Sequence, residues 1–163
     1  MGIRWIIKGK LAVSHIPLSI MDLEIWLKKG IRAVVILVEP HEVGLYWGSF
    51  RSYLTTLESM GFEYYHSPIV DFHVPTLDQC LDIVAWIDKK INENKPVIVH
   101  CRGGIGRSGM IAICYLMYKY HCEPLEAYNE IRKTHCNLSL TVEQEEFIEQ
   151  FYQYLFRRLK RWK

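Results

Sequence analysis

The sequence predicts an α/β fold, a mainly parallel central sheet of five or fewer strands that is flanked by helices, with a helical C-terminal half. Short apolar runs typical of buried strands alternate with amphipathic runs as far as Val99. The run Val97–Val99 is apolar without alternation, as expected for a strand covered on both faces of a parallel sheet. Beyond Cys101 the periodic segments have helical spacing only.

Local signals place three strands and two helices in the first half. Ser19 and Asp22 have the spacing of a capping box, and Gly30 ends the helix that they begin. The predicted elements are, in order, a strand at Ile3–Val13, a helix at Ser19–Lys29, a strand at Ala33–Val38, a helix at about Phe50–Met60 and a strand at Glu63–Ile69.

The second half contains a helix, one more strand and then further helices. Thr76 and Gln79 have capping-box spacing at the start of an amphipathic helix. Met110–Tyr118 is apolar all round, which predicts a buried central helix. The remaining predicted elements are the turn Asn92–Lys95, the strand at Val97–Val99, and helices that begin at about Arg107, at Pro124 and at Thr141.

Length and composition indicate one soluble globular domain over residues 1–163, half of whose residues are hydrophobic. No run is long enough for a membrane span, and Met1–Lys10 does not resemble a signal peptide. The five cysteines are an odd number without framework spacing, which predicts a reducing, cytoplasmic location.

The basic end of the chain invites a membrane or nucleic-acid interpretation. Residues 157–163 carry five positive charges, although the net charge of the whole chain is only +2. Cations at a helix C-terminus also complement the helix dipole, and seven residues are short for a binding module. We favour the dipole interpretation and expect no nucleic-acid partner.

The stretch His100–Gly109 can form a phosphate-handling site by itself. It joins a strand to a helix, and its glycines let the backbone N–H groups curl into a nest for an anion at the helix N-terminus. Arg107 adds a planar fork for two phosphate oxygens, and the positive surroundings favour the thiolate form of Cys101. The residues predicted to bind phosphate are Arg102, Gly103, Gly104, Ile105, Gly106 and Arg107.

Other interpretations of this stretch fit less well. Gly104–Gly109 matches G-x-G-x-x-G, but a dinucleotide site needs a further strand with an acid about 20 residues on, and only helix is predicted there. A nucleotide P-loop needs a lysine where Met110 stands. A glycine-rich turn with a buried structural cysteine would not need the cationic residues that follow.

The stretch resembles the His-Cys-x5-Arg-Ser/Thr signature of the cysteine-based protein tyrosine phosphatases, and the chain is most similar to their small dual-specificity branch. The similarity continues through a Pro-x-x-Asp segment upstream and Thr141–Gln144 downstream, so that it spans the chain as a single phosphatase domain, 1–163. The resemblance implies that Cys101 is the nucleophile, Arg107 the phosphate clamp and Ser108 the hydroxyl that stabilises the leaving thiolate.

A proton donor for the leaving oxygen is found by elimination. Of the five aspartates, only Asp71 lies outside the predicted helices, in the loop Val70–Pro75 after a strand. A carboxylic acid there can protonate the leaving group and then, as a carboxylate, activate water. The acid loop of the resembling family agrees on Asp71. The alternative is that Asp71 is an ordinary surface aspartate, and Glu39 or Glu42 would then be the next candidate for the proton donor.

Gln144 and His100 have less certain roles. Thr141-x-x-Gln144 is a capping-box pattern, which would account for Gln144 without catalysis, whereas resembling phosphatases use a glutamine in a similar segment to position water. Both roles stay open. We expect His100 to hydrogen-bond within the loop and to tune the thiolate.

These residues predict a cysteine-dependent phosphomonoesterase that uses no metal or cofactor, because no His-Cys pair has zinc-site spacing. Phosphorylated proteins are the expected substrates, with phosphotyrosine preferred or shared with phosphoserine and phosphothreonine. The alternative enzyme is a phosphatase for lipid or RNA phosphates, prompted by Arg102 and the basic end of the chain. The alternative to an enzyme is a module that binds phosphate groups and has little catalytic activity.

Overall fold

The computed structural model describes residues 2–158, which form a five-stranded sheet with helices on both faces. The strand order is β1-β2-β5-β3-β4, and every neighbouring pair except β1–β2 is parallel. The predicted fold class is confirmed, including the helical C-terminal half. The strands are β1 (Arg4–Ile7), β2 (Leu11–Ser14), β3 (Ala33–Ile36), β4 (Glu63–His66) and β5 (Val97–His100).

Seven helices lie in the described part of the chain. They are α1 (Ile20–Lys28), α2 (Pro40–Trp47), α3 (Phe50–Ser59), α4 (Leu77–Asn92), α5 (Arg107–Tyr120), α6 (Pro124–Arg132) and α7 (Val142–Arg158). Within residues 2–158, none of them combines the length and the apolarity needed to cross a membrane.

The strands carry apolar side chains on both faces because the sheet is covered on both sides. On β5, Val97 and Val99 pack into the core beneath α4, α5, α6 and α7, whereas Ile98 packs into the core beneath α1, α2 and α3. Helix α5 is buried along almost its whole length, as its unbroken apolar sequence predicts.

The prediction of one strand over Ile3–Val13 is wrong. The segment is a hairpin in which β1 and β2 pair antiparallel around a turn, where Gly9 has φ of 74° and Lys10 N–H donates to the carbonyl of Ile7 at 2.9 Å. Glycine reaches that positive φ without steric cost, so it was the local signal for the turn.

Helix α2 was missed, and one helix cap differs from its prediction. At its start the backbone N–H of Glu39 donates to the side chain of Glu42 at 2.8 Å, and Pro40 is the first helical residue, a position that proline favours. At the start of α1, the backbone N–H of Leu18 donates to Asp22, and Ser19 accepts from Met21 N–H, so the expected capping box is not formed.

Of the basic end of the chain, only Arg157 and Arg158 belong to the described residues, in the last turn of α7. The guanidinium of Arg158 lies 5.5 Å from the ring of Tyr154. Residues 159–163, on which the dipole interpretation also depends, lie outside the described residues.

Candidate active site

Cys101 follows β5 at the middle of the sheet, where the parallel strands β2, β5 and β3 end together. The chain curls through residues 102–106 and enters α5 at Arg107. The Sγ atom of Cys101 accepts the backbone N–H of Gly104 at 3.2 Å and lies 3.3 Å from the hydroxyl of Ser108. The N–H of Gly104 donates to this sulfur, and the hydroxyl of Ser108 can do so as well.

Gly104 is required by a close backbone approach. Its φ is 76°, and a Cβ atom there would lie 2.7 Å from the backbone of Ser14 and His15 at the end of β2. The neighbouring Gly103 has no such restriction, because a Cβ there would meet only the side chain of Ile105, at 3.8 Å. The loop therefore lies directly against β2.

The segment between α6 and α7 supports the same loop from its other side. The buried ring of His135 contacts the carbonyl of Gly104 through Nε2 at 2.6 Å, and Ser139 N–H donates to the carbonyl of Ile105 at 2.9 Å. Burial lowers the pKa of His135 below its ordinary value. No sequence pattern had singled out His135.

Arg107 is buried, with 1% of its side chain exposed, and a carboxylate orients it. Its Nη1 and Nη2 atoms donate to the two oxygens of Glu42 at 3.0 and 2.8 Å, and Nη1 also donates to the carbonyl of Ile69 at 2.7 Å. The Nε atom is the one buried side-chain nitrogen or oxygen in the described residues without a hydrogen-bond partner. A buried donor left unpaired points to an absent acceptor, and a phosphate oxygen fits it.

In the ion pair of Glu42 and Arg107, each residue stabilises the charged form of the other against the effect of burial. Burial pulls the pKa of Glu42 upward, but the hydrogen bonds from Arg107 and from the Glu39 backbone bring it below its ordinary value. For Arg107, burial acts to lower the pKa and the contacts with Glu42 raise it above its ordinary value. Both groups are therefore charged at neutral pH. The sequence indicated Glu42 only as a substitute proton donor for Asp71, because its partner Arg107 is 65 residues away in the sequence.

Asp71 lies at the rim, with Oδ1 3.3 Å from Nη2 of Arg107 and with 40% of its side chain exposed. Its neighbour Phe72 has φ of 67°, a region that a bulky side chain seldom adopts. The hydroxyl of Thr141 donates to the carbonyl of Phe72 at 3.4 Å, which ties the Asp71 loop to the start of α7. His73 is exposed.

Gln144 combines helix capping with a place at the cavity. Its backbone N–H donates to the hydroxyl of Thr141, and its Oε1 accepts from Thr141 N–H, so the capping box is formed. Its Nε2 donates to the carbonyl of His73 at 3.2 Å, and its amide lies near Gly106. The two roles considered for Gln144 are thus compatible in one conformation.

His100 lies behind the loop in the core. Its Nε2 is 2.9 Å from the hydroxyl of Tyr53 on α3, and its Nδ1 is 3.2 Å from the carbonyl of Cys101. Complete burial lowers the pKa of His100 to about 4, so the ring is neutral at physiological pH. Tyr53 had no sequence signal.

The predicted site residues meet around one cavity of about 400 Å³. Those that line it are Asp71, Cys101, Arg102, Gly103, Ile105, Gly106, Arg107 and Gln144. Ser108 and Gly104 lie beneath the cavity against the sulfur of Cys101. Phe72, Ile105 and Leu140 supply apolar walls. Within the described residues, no cluster of three or more histidine, cysteine or carboxylate side chains could hold a metal ion.

Comparison with known proteins agrees with this geometry. A family model described as "Tc-R-P: Polymorphic toxin system, DSP-PTPase phosphatase" matches residues 14–121, about two thirds of the chain. Cyclin-dependent kinase inhibitor 3 of Rattus norvegicus is 26% identical over 132 residues, which cover 80% of this chain and 61% of that protein. The chain thus spans about three fifths of the length of that relative.

Two further proteins are similar over most of the chain. Phosphatidylglycerophosphatase and protein-tyrosine phosphatase 1 of Rattus norvegicus is 26% identical over 147 residues, covering 90% of this chain and 74% of that protein. The crystal structure of Tk-PTP in its active form superimposes with a TM-score of 0.82 at 33% identity, covering 93% of this chain and 97% of that one.

The matched residues 14–121 contain the whole loop from Cys101 to Ser108 together with the strands β3, β4 and β5. The chain therefore belongs to the cysteine-based protein tyrosine phosphatase superfamily, in its small dual-specificity branch.

Proposed function

We propose that this enzyme is a protein phosphatase that hydrolyses phosphotyrosine, and also phosphoserine and phosphothreonine, through a phosphocysteine intermediate. The observation that carries the proposal is the arrangement of Cys101, Arg107 and Asp71 around one cavity with apolar walls. A nucleophile, an anion clamp and an acid within reach of one bound group are what phosphomonoester hydrolysis needs.

In the first step the thiolate of Cys101 attacks phosphorus. The S–P bond forms while the bond from phosphorus to the ester oxygen breaks, and Asp71 gives its proton to that oxygen. The unpaired Nε–H of Arg107 points to the phosphate as its acceptor, and Glu42 holds the guanidinium in place.

In the second step water attacks the phosphocysteine. Asp71, now a carboxylate, takes a proton from the water, and the S–P bond breaks to release inorganic phosphate and the thiolate. Gln144 is close enough to orient this water, and the Ser108 hydroxyl, 3.3 Å from the sulfur, donates to the departing thiolate.

The cavity walls favour an aryl phosphate in a protein over a lipid headgroup. The apolar side chains of Phe72, Ile105 and Leu140 suit the ring of a phosphotyrosine. The loop from Cys101 to Ser108 contains two cations, the buried Arg107 and the exposed Arg102. A polyphosphorylated headgroup would call for more cations. Lipid or RNA phosphates remain the alternative substrates, and the name of one relative includes a phosphatidylglycerophosphatase.

We further infer that the enzyme works in the reducing cytoplasm without a metal or cofactor. All five cysteines are free thiols in the structure, including Cys101. A reducing compartment keeps such a nucleophile active.

A substrate panel tests the proposed function. We expect phosphotyrosine, phosphoserine and phosphothreonine peptides to be hydrolysed faster than a phosphoinositide or an RNA triphosphate, with excess chelator having no effect. Hydrolysis of the phosphoinositide or the RNA alone would contradict the proposal, as would a loss of activity in chelator that zinc or magnesium restores.

The variant Cys101→Ser tests the thiolate. Turnover should fall more than about 10³-fold while phosphate-ester binding persists, because a hydroxyl is far harder to ionise than a thiol. Acid quenching of the wild type with a labelled phosphopeptide should leave the label on Cys101. Cys136→Ser, at an exposed thiol outside the cavity, is the matched control and should keep full activity.

A further inference from the structure

A second depression lies beside the catalytic cavity, between α6 and α7, and we call it the α6–α7 groove. Its walls include Leu125 and Tyr128 on α6, Ile148 on α7 and Leu140 from the loop before α7, around a volume of about 340 Å³. Leu140 also lines the catalytic cavity, so the two depressions share a wall. The groove therefore adjoins the catalytic cavity.

The rim of the α6–α7 groove is acidic. Glu145 and Glu149 are one helical turn apart on α7, and both line the groove and are exposed. Neither carboxylate forms an ion pair with another side chain of the described residues. The cation nearest in sequence to the α6 wall, Arg132, lies over the ring of Tyr128 at 5.7 Å.

On the apolar wall Leu125 is 71% exposed, whereas Ile148 at the base of the groove is buried. An exposed apolar wall next to unpaired carboxylates is complementary to an apolar side chain with a lysine or arginine beside it. Anionic lipid headgroups would be repelled by the same two carboxylates.

The distance from the catalytic cavity suits a peptide. Gln144 lines that cavity, and Glu149 lies five residues further along α7, a rise of about 7.5 Å. An extended peptide advances about 3.3 Å per residue. A residue two to four positions from the phosphorylated one would therefore reach the α6–α7 groove.

We propose that the α6–α7 groove binds the polypeptide that flanks the phosphorylated residue of a protein substrate. It takes an apolar side chain between Leu125 and Ile148, and it takes an adjacent lysine or arginine on Glu145 and Glu149. This inference rests on the proposed function as a protein phosphatase and adds a preference for basic, apolar flanking sequence.

The test compares the double variant Glu145→Lys, Glu149→Lys with the wild type. The substrates are phosphotyrosine peptides with Leu-Arg or Glu-Glu two to four residues before or after the phosphotyrosine, together with a small aryl phosphate. We expect kcat/KM for the Leu-Arg peptide to fall ~5-fold or more in the variant, because the new lysines repel the arginine of the peptide. The value of kcat/KM for the Glu-Glu peptide should rise, because the lysines attract its carboxylates. The small aryl phosphate should be unaffected.

The matched control is Glu24→Lys with Asp82→Lys, which changes the net charge equally at exposed positions on α1 and α4. It should leave the ranking of the peptides unchanged. An equal loss in this control, or equal losses on every substrate in the groove variant, would overturn the proposal.

Leu125→Ser probes the apolar wall without disturbing the core, since the side chain is exposed. It should weaken discrimination between a Leu-Arg and an Ala-Arg peptide, and unchanged discrimination would count against the groove. A loss of activity in Leu125→Ser that is confined to phosphoinositide vesicles would overturn the peptide assignment and assign the groove to lipid. Failure of the proposed function would look different, because the wild type would then cleave the small aryl phosphate but no peptide.

Discussion

Arg107 lies with its guanidinium between two carboxylates, Glu42 and Asp71. Glu42 is buried and takes two of the hydrogen bonds, whereas Asp71 is partly exposed and touches only Nη2. A buried, doubly bonded pair fixes geometry, and a rim carboxylate is free to exchange a proton with a bound ester. The two acids near one arginine therefore suit different tasks.

The variant Glu42→Gln should lower both stability and activity. It leaves the buried charge of Arg107 without its counter-ion, which should cost about 3 kcal/mol in the free energy of unfolding near pH 7. The value of kcat/KM should fall about 10-fold or more because the clamp loses its orientation. Urea unfolding measures the first effect and steady-state kinetics the second.

Inorganic phosphate provides the internal check on this variant. It should stabilise Glu42→Gln more than it stabilises the wild type, since the anion replaces the missing charge. The lowered pKa of Glu42 means that its contribution is complete above its ordinary value of 4.5 and is lost as the pH falls through the lowered value. A variant as stable as the wild type at pH 7 would show that the pair does not hold Arg107.

The variant Asp71→Asn should slow substrates according to their leaving group. Alkyl and tyrosyl phosphates should slow by on the order of 10²-fold in the first step, whereas an ester of an acidic phenol should slow much less, because its oxygen leaves without a proton. Single-turnover rates are needed, since loss of the base could slow the second step.

Asp82→Asn, at an exposed position on α4, serves as the control for Asp71. Uniform slowing of the first step across leaving groups would remove Asp71 as the proton donor. Glu42 would be an unfavourable substitute, because both of its oxygens already accept from Arg107.

At the scale of elements, the loop that follows β5 is shaped by two segments distant in sequence. The end of β2 lies against Gly104 from one side, and His135, before α7, contacts its carbonyl from the other. Sequence alone indicated the loop as a nest, and its glycines and strand–helix junction were sufficient for that. The supports were not predictable from local patterns, since neither Ser14 nor His135 belongs to a motif.

Gly104→Ala and Gly103→Ala form a matched pair for this loop. At Gly104 the added methyl would lie 2.7 Å from the backbone and would require a positive φ, so we expect kcat/KM to fall about 10²-fold or more, with loss of phosphate binding. At Gly103 the methyl meets only Ile105 at 3.8 Å, and activity should stay within a few-fold. Kinetics and phosphate titration check both, and equal behaviour of the two variants would contradict the described backbone.

At the scale of the whole molecule, the active-site strand is joined to both helical layers. Helix α5 continues from the loop into the core on one face, and His100 reaches Tyr53 of α3 on the other. His100 is also buried near Trp26 of α1, with ring centroids 6.0 Å apart. The site is therefore sensitive to the stability of the whole sheet.

Burial of a neutral His100 predicts how stability depends on pH. The folded pKa is about 4, below the ordinary 6.5, so between these values the unfolded chain binds a proton that the folded chain does not. Stability should therefore fall by about 3 kcal/mol as the pH drops from 6.5 to 4. Urea unfolding of wild type and His100→Gln over this range measures the difference in slope. An unchanged slope in His100→Gln would refute the assignment.

The sequence by itself determined whatever depends on neighbours in the chain. The loop from Cys101 to Ser108 joins a strand to a helix within eight consecutive residues, and the caps at Thr76 and Thr141 lie within one helical turn. The hairpin turn at Gly9 and the proline that begins α2 had equally local signals, although the unbroken apolar run around Gly9 favoured a single strand.

Only the tertiary structure decided which distant groups serve the site. Glu42 reaches Arg107, Tyr53 reaches His100 and His135 reaches Gly104 across separations of 65, 47 and 31 residues. Such pairs follow from the spatial order of the strands in the sheet, because strands that are distant in sequence are neighbours and end at the same edge. The residues proposed to act on phosphate lie together in a sequence motif. The residues that hold them in position are brought close to them only by the packing of the sheet and its helices.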